Sequence, residues 1–211
     1  VDIIRILSWL LIIAGTVVLG WNAYNWWSES ASSIPYDEAV MNKVDKKGDD
    51  TSPQPALAKG VSSALKHNRG DMIATLSVPR LKKNLEVVYG ADSDSLTKGV
   101  GSYIEDNDPN TNDKTVKPGE TGHVVLSGHR DTKFKGMGEL KVGDRLIIDY
   151  NNHHFIYQVR KMWVTSKEDR KVIVTKDKPI LTLVTCYPFN MLGSAPKRYI
   201  IESELIEIQN K

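Results

Sequence analysis

The chain has 211 residues, 26% of them charged and 40% hydrophobic, a net charge of +2 and a single cysteine. So small a charge argues against a nucleic-acid-binding surface or strong attraction to anionic lipid. A lone thiol forms no intrachain disulfide, and no Walker-type glycine loop, dinucleotide fingerprint, cysteine cluster or His-Glu-x-x-His helix occurs, so nothing points to a nucleotide or zinc site.

No charged residue stands between Ile6 and Ser28, and Ile6 to Leu19 is mostly Ile, Leu and Val. About 20 helical residues cross a hydrocarbon core, so residues 1–28 are expected to form a transmembrane anchor. Trp21, Tyr24, Trp26 and Trp27 suit the headgroup boundary. Arg5 precedes the span, which points to an inside N-terminus and an extracellular C-terminal part. A cleaved signal peptide is the competing reading. Cutting after Ala23 or Ala31 leaves Trp21 or Glu29 at −3, and only a cut after Ser30, with Ser28 at −3, is acceptable, so a retained anchor is preferred. The chain begins with Val, and a start further upstream is expected.

Residues 29–70 read as an extracellular linker. Ser, Pro, Lys and Asp dominate, as in Asp45 to Pro55, and too little apolar surface exists to offset chain entropy. Ala56 to Leu65 is a candidate short helix. Residues 71–211 form the folded domain, long enough for one core. Short β-branched runs recur between turn signals: Met72–Val78, Leu85–Val88, His123–Ser127, Arg145–Tyr150, Phe155–Trp163, Lys171–Val174, Ile180–Thr185 and Arg198–Ile206. Asn151-Asn152 predicts a hairpin turn, and short helices are expected from Asp92 towards Val100 and over Gly136–Leu140. Many short strands and few helices predict an all-β barrel or sandwich.

Cys186 closes the apolar run Ile180–Thr185 just before Pro188. Strand ends project side chains into loop-lined clefts, a fitting place for a nucleophile. A thiol nucleophile needs a proton carrier and a cation for developing negative charge. His129, in Ser127-Gly128-His129-Arg130-Asp131-Thr132, and Arg198, in Lys197-Arg198-Tyr199, are the candidates. Lys197 competes with Arg198. Arg130 and Asp131 read as a surface pair or turn formers, with an imidazole-orienting role for Asp131 as the lesser reading. Thr185 needs no function beyond its β-branched fit.

Thr182-Leu183-Val184-Thr185-Cys186, the preceding Gly128-His129 and the following Arg198 together resemble the sortases, membrane-anchored cysteine transpeptidases of Gram-positive bacteria. The resemblance covers Met72 to Ile206 and is strongest to class D, on Tyr187-Pro188-Phe189 and Gly193 to Tyr199. It implies an eight-stranded sortase-type β-barrel and catalytic roles for His129, Cys186 and Arg198. It further implies cleavage of an LPxTG- or LPxTA-like sorting signal after Thr, and transfer of the acyl group to an amine of a peptidoglycan precursor. A class C lid would need Asp before Pro, and Ser33-Ile34-Pro35-Tyr36 lacks it.

Alternatives to transfer are a hydrolytic cysteine peptidase using the same residues and an inert membrane-tethered binding module. No cofactor is expected. Glu105 to Asp113 begins like a calcium loop, but Thr111 replaces the needed Gly and Lys117 the bidentate Glu, so a solvated turn is the better reading. His123 is expected to pack at a strand start. His153 and His154 are adjacent, point oppositely in a strand and cannot chelate one metal. Val164–Lys178, preceding the Cys186 strand, is expected to border the signal groove.

Overall fold

The computed structural model describes residues 2–31, 34–38, 67–103, 115–191 and 193–211. The chain divides into two compact units, Val1–Ser32 and Ser33–Lys211. The first is one helix, Asp2–Ala31. Its stretch Ile3–Ser28, 26 residues, is long and apolar enough to cross a membrane, and none of it is buried within the unit. Such a segment is a candidate membrane span. The polar side chains within it turn back on the helix: Ser8 donates to the Ile4 carbonyl, Thr16 to Ile13 and Asn22 to Val18. Those bonds give each polar group a partner within the helix itself.

The second unit is a closed barrel of eight strands. In chain order they are β1 (Met72–Val78), β2 (Lys83–Tyr89), β3 (Val100–Ser102), β4 (Gly122–Gly128), β5 (Arg145–Tyr150), β6 (His153–Ser166), β7 (Pro179–Tyr187) and β8 (Lys197–Asn210). Around the barrel the order is β1-β2-β3-β4-β7-β8-β6-β5. The β2–β3 and β4–β7 pairs are parallel and the others antiparallel. Leu76, Leu126, Phe134, Leu146, Phe155, Tyr157, Leu181 and Ile201 fill the interior. All seven residues of β4 are buried, because core covers one face and chain covers the other.

Local chemistry explains the connections. Asn151 and Asn152 hold φ of 48° and 61°, the left-handed pair that a tight hairpin needs between β5 and β6. The helix expected from Asp92 runs Ser93–Lys98, with the Asp92 carboxylate accepting from the Ser95 N–H at 3.0 Å. The second expected helix is a single 3-10 turn, Met137–Glu139.

Two sequence expectations are corrected. Lys171–Val174 is not a strand. Both edges of β7 are already paired, to β4 and β8, so the run has no ladder to join despite its β-branched composition. The missing member is β3, three residues long. At Gly101 a Cβ would lie 2.7 Å from the Gly90 carbonyl oxygen, so the close approach that builds this strand is one a side chain would block.

Within the expected linker, residues 34–38 lie on the barrel. Ile34 bridges Asn84, the Asn84 amide donates to the Pro35 carbonyl at 2.8 Å, and Tyr36 packs on Ile147 and Ile156. Tyr36 and Glu38 border a cavity with Arg80 and Arg145, separate from the one that holds Cys186. Residues 39–66, including the candidate helix Ala56 to Leu65, lie outside the described residues, as does the calcium-like loop 105–113.

Candidate active site

The strand order β4-β7-β8 brings the three candidate residues abreast. In the antiparallel β7–β8 ladder Cys186 pairs with Arg198, so their side chains share a face. In the parallel β4–β7 ladder Gly128 pairs with Thr185, and the next residue on each chain is His129 or Cys186. Leu181, Leu183 and Thr185 share a parity and point inward; Cys186, with Thr182, takes the outer face. The Thr185 hydroxyl donates to the Gly128 carbonyl at 2.8 Å, which ties the cysteine strand to the residue before His129.

Cys186, His129 and Arg198 line one cavity of about 320 Å³. Each is half-buried, reachable yet partly shielded. The walls are Arg130, Asp131 and Lys167 together with Gly193, Ser194 and Ala195. Arg130, Lys167 and Arg198 outnumber the single carboxylate, and such a field suits a ligand that carries or develops negative charge. Arg198 spends Nη1 on the carbonyls of Ala195 and Lys197, at 3.2 and 3.0 Å, which fixes the guanidinium and leaves its other N–H donors for a ligand.

The turn after β4 is built for His129. Its carbonyl accepts from the Phe134 N–H at 2.9 Å. The Phe134 ring fills the space beside Gly128, where a Cβ would approach it to 2.9 Å. Three aromatic rings, Tyr187, Phe189 and Tyr199, pack together beyond Cys186, with centroids 5.2 to 6.2 Å apart. The Tyr187–Pro188 peptide is cis.

Lys197 is exposed and stays out of the cavity, which leaves Arg198 as the cation beside the thiol. Asp131 lines the cavity but forms no hydrogen bond to the His129 ring among the described residues. Arg130 is not the surface residue expected from its polar setting. It is buried, and its guanidinium donates to the carbonyls of Met191 and Gly193. Lys167 lies in Val164–Lys178, the segment expected to border the groove, and Gly193–Ala195 lie in the stretch that carried the class D resemblance; closure of the loops over the outer face brings both to the cavity.

The other histidines do structural work. His123 is fully buried and bonds to Val174 and Thr182, both at 2.7 Å. His153 turns to its own hairpin, with Nδ1 2.7 Å from the Asn151 carbonyl. His154 is buried with Nδ1 3.9 Å from Asp149. Among the described residues no three His, Cys, Asp or Glu side chains gather as a metal site would require.

A sortase domain model matches residues 76–206. Sortase D of Bacillus subtilis is 32% identical over 200 residues, covering 93% of this chain and 96% of that protein. The catalytic domain of B. anthracis SrtD is 44% identical, with a TM-score of 0.58, over 73% of this chain and all of that one. Sortase E1 from Streptomyces coelicolor, solved with a tripeptide in its active site, is 25% identical with a TM-score of 0.58, over 67% of this chain and 91% of that one.

Proposed function

The chain belongs to the sortase family of cysteine transpeptidases, and from that premise we propose that Cys186, His129 and Arg198 carry out acyl transfer from a sorting signal to a cell-wall amine. The observation that carries the reading is the β4-β7-β8 order, which sets the three side chains abreast on one cleft. The Cys186 thiolate attacks the carbonyl carbon of Thr in an LPxTG- or LPxTA-like signal. Sulfur suits the step, because a thiolate is a good nucleophile and a thioester remains reactive towards amines. Arg198 donates hydrogen bonds to the oxyanion or to the signal backbone, and its charge persists at any working pH.

Collapse of the tetrahedral adduct breaks the C–N bond. His129 gives its proton to the leaving amine, and a thioester remains on Cys186. A peptidoglycan-precursor amine then attacks, His129 takes the proton, and the thiolate departs as the new amide forms. Imidazole titrates closest to neutrality, so one side chain serves both directions. The helix Ile3–Ser28 holds the enzyme in the membrane, with the barrel on the extracellular side. Lys167, at the start of the β6–β7 connection, lines the cleft, which supports that connection as a border of the signal groove. The tripeptide in the active site of the Streptomyces coelicolor enzyme supports a peptide ligand for this cleft.

The deciding experiment is intact-mass analysis across a panel of signal peptides, with and without an amine acceptor. An acyl adduct ending in Thr should form on Cys186, and acceptor should appear in product. Product without acceptor would make the enzyme a hydrolytic peptidase. Absence of an adduct with every peptide would end the proposal.

A further inference from the structure

Arg130 follows His129 and lines the same cavity, yet only 8% of it is exposed. A buried guanidinium persists only where acceptors meet it. Its Nη2 donates to the carbonyls of Met191 and Gly193, the second at 2.9 Å. Both acceptors lie in the β7–β8 connection, where Met191, Gly193 and Ser194 are otherwise exposed and Gly193 holds a φ of +83°. Nη1 is buried with no partner among the described residues, a cost that points to what Nη2 does as the reason the side chain is held there.

A second fastening lies nearby. The Phe189 ring, at the start of the same connection, packs so closely on Gly138 that a Cβ there would sit 2.7 Å away. Gly138 belongs to the 3-10 turn Met137–Glu139, which continues the His129 turn through the Phe134 carbonyl. One wall of the cleft is therefore attached twice to the segment that carries the imidazole.

We propose that Arg130 is a positioning residue that fastens the β7–β8 connection to the His129 turn and thereby sets the width of the signal cleft. Its kinetic consequence rests on the acyl-transfer reading; the fastening itself does not. With the wall held, Gly193–Ala195 stay against the bound signal and water is kept from the thioester until an amine arrives. A loosened wall weakens binding of the signal and admits water, while the chemistry of Cys186 and His129 is spared.

Arg130→Lys keeps the charge and loses the planar fork; Arg130→Gln loses both. In the full chain in detergent, each should raise KM for a signal peptide about tenfold, the scale of one lost charged hydrogen bond, with kcat within about threefold. The ratio of hydrolysed to transferred product should rise several-fold. Alkylation of Cys186 by iodoacetamide, which needs no wall, should not slow. Amide exchange should quicken across Met191–Ser194 and stay unchanged in β4 and β7. Gly193→Ala, strained at its positive φ with nothing within 4 Å of the new Cβ, loosens the same contact from the loop side and should act in the same direction.

Wild-type KM, product ratio and local exchange in both Arg130 variants would overturn the proposal. So would a loss in kcat that tracks thermal stability, or exchange quickened evenly through the barrel, since a merely structural role predicts those. If the enzyme transfers no signal peptide at all, the acyl-transfer reading fails while the exchange measurement still decides the fastening. If the Arg130 variants do not fold, Gly193→Ala supplies the same readouts.

Discussion

His123 and His129 stand near the two ends of one strand, and the barrel uses them in opposite ways. His123 lies inside β4, fully buried. A carbonyl only accepts, so Nδ1 carries the proton it donates to Val174. Nε2 is then bare and accepts the Thr182 hydroxyl. Burial holds this imidazole below its ordinary pKa, with Lys176 adding to the effect and the Val174 carbonyl and Glu202 opposing it. His129 lies one residue beyond the strand, half-buried in the cleft, and its ring makes no hydrogen bond among the described residues. One ring spends both nitrogens, Nδ1 on Val174 in the β6–β7 connection and Nε2 on Thr182 in β7, and so holds that connection against the outer face. The other leaves both open to the cleft, as the proposed proton transfer requires. What separates them is whether chain covers that part of the strand, a property of the fold and not of the residue type.

The largest effects should come from the open end. Cys186→Ala and His129→Ala should each cut acyl transfer by more than about a thousandfold, because nucleophile and proton carrier act as one unit. Urea unfolding should move little, since both side chains face the cleft. A His129 variant retaining near-normal transfer would erase the contrast, leaving both histidines structural. Arg198→Lys comes next. It keeps a charge but loses the fork, and transfer should fall by about a hundredfold, the scale of one lost oxyanion donor, while alkylation of Cys186 persists. A drop below about threefold would remove Arg198 from the reaction and leave it as a loop anchor through Ala195 and Lys197.

The same contrast governs what the sequence could reveal. Cys186, His129 and Arg198 are legible because each stands in a short local pattern at a strand end. Arg130 is not. Its neighbours Asp131 and Thr132 suggest an exposed turn, and its burial depends on carbonyls of Met191 and Gly193 that no local pattern connects to it. His123 was legible as packing, but its two partners lie in a loop and a strand far along the chain. Among the strands, β1, β4, β5 and β7 show as β-branched runs between turns. β3 is hidden, because Val100-Gly101-Ser102 owes its pairing to a missing side chain. Lys171–Val174 misleads in the other direction: its composition suits a strand, but the barrel offers it no free edge, and the Val174 carbonyl goes to His123 instead.

The covered end should respond in stability. His123→Phe keeps the bulk and leaves the Val174 carbonyl and the Thr182 hydroxyl without their partner, at a cost of about 1–3 kcal/mol in urea unfolding at pH 7.5. Transfer should fall only several-fold, through a loosened β6–β7 connection. A pH series sharpens the point. The folded-state pKa of His123 lies below its unfolded value of about 6.5, so as pH drops the unfolded chain takes up the proton first. The wild-type barrel should therefore be most stable, in this respect, above about pH 6.5 and lose stability as pH falls towards the folded-state value. His123→Phe should lack that component. An unchanged slope between pH 7.5 and 5.5 would mean that the buried imidazole is not what titrates.

Asp92→Ala should have the smallest effect, and it separates the His123 result from general weakening. Asp92 caps the helix Ser93–Lys98, in the β2–β3 connection and away from the residues lining the cleft. Hydrogen bonds from the Ser95 N–H and hydroxyl hold its carboxylate down to a pKa of about 2, with Arg69 adding a lesser pull. Removing the cap should cost about 1 kcal/mol at neutral pH. Because the folded-state pKa is depressed, that contribution is complete above about pH 4 and disappears as pH falls towards 2, so wild type and variant should converge in acid. Acyl transfer at 25 °C should be unchanged. If Asp92→Ala slowed transfer as much as His123→Phe does, loss of stability anywhere in the barrel would account for both, and His123 would have no particular hold on the cleft. If only His123→Phe slows transfer, the pinned loop is what the cleft depends on.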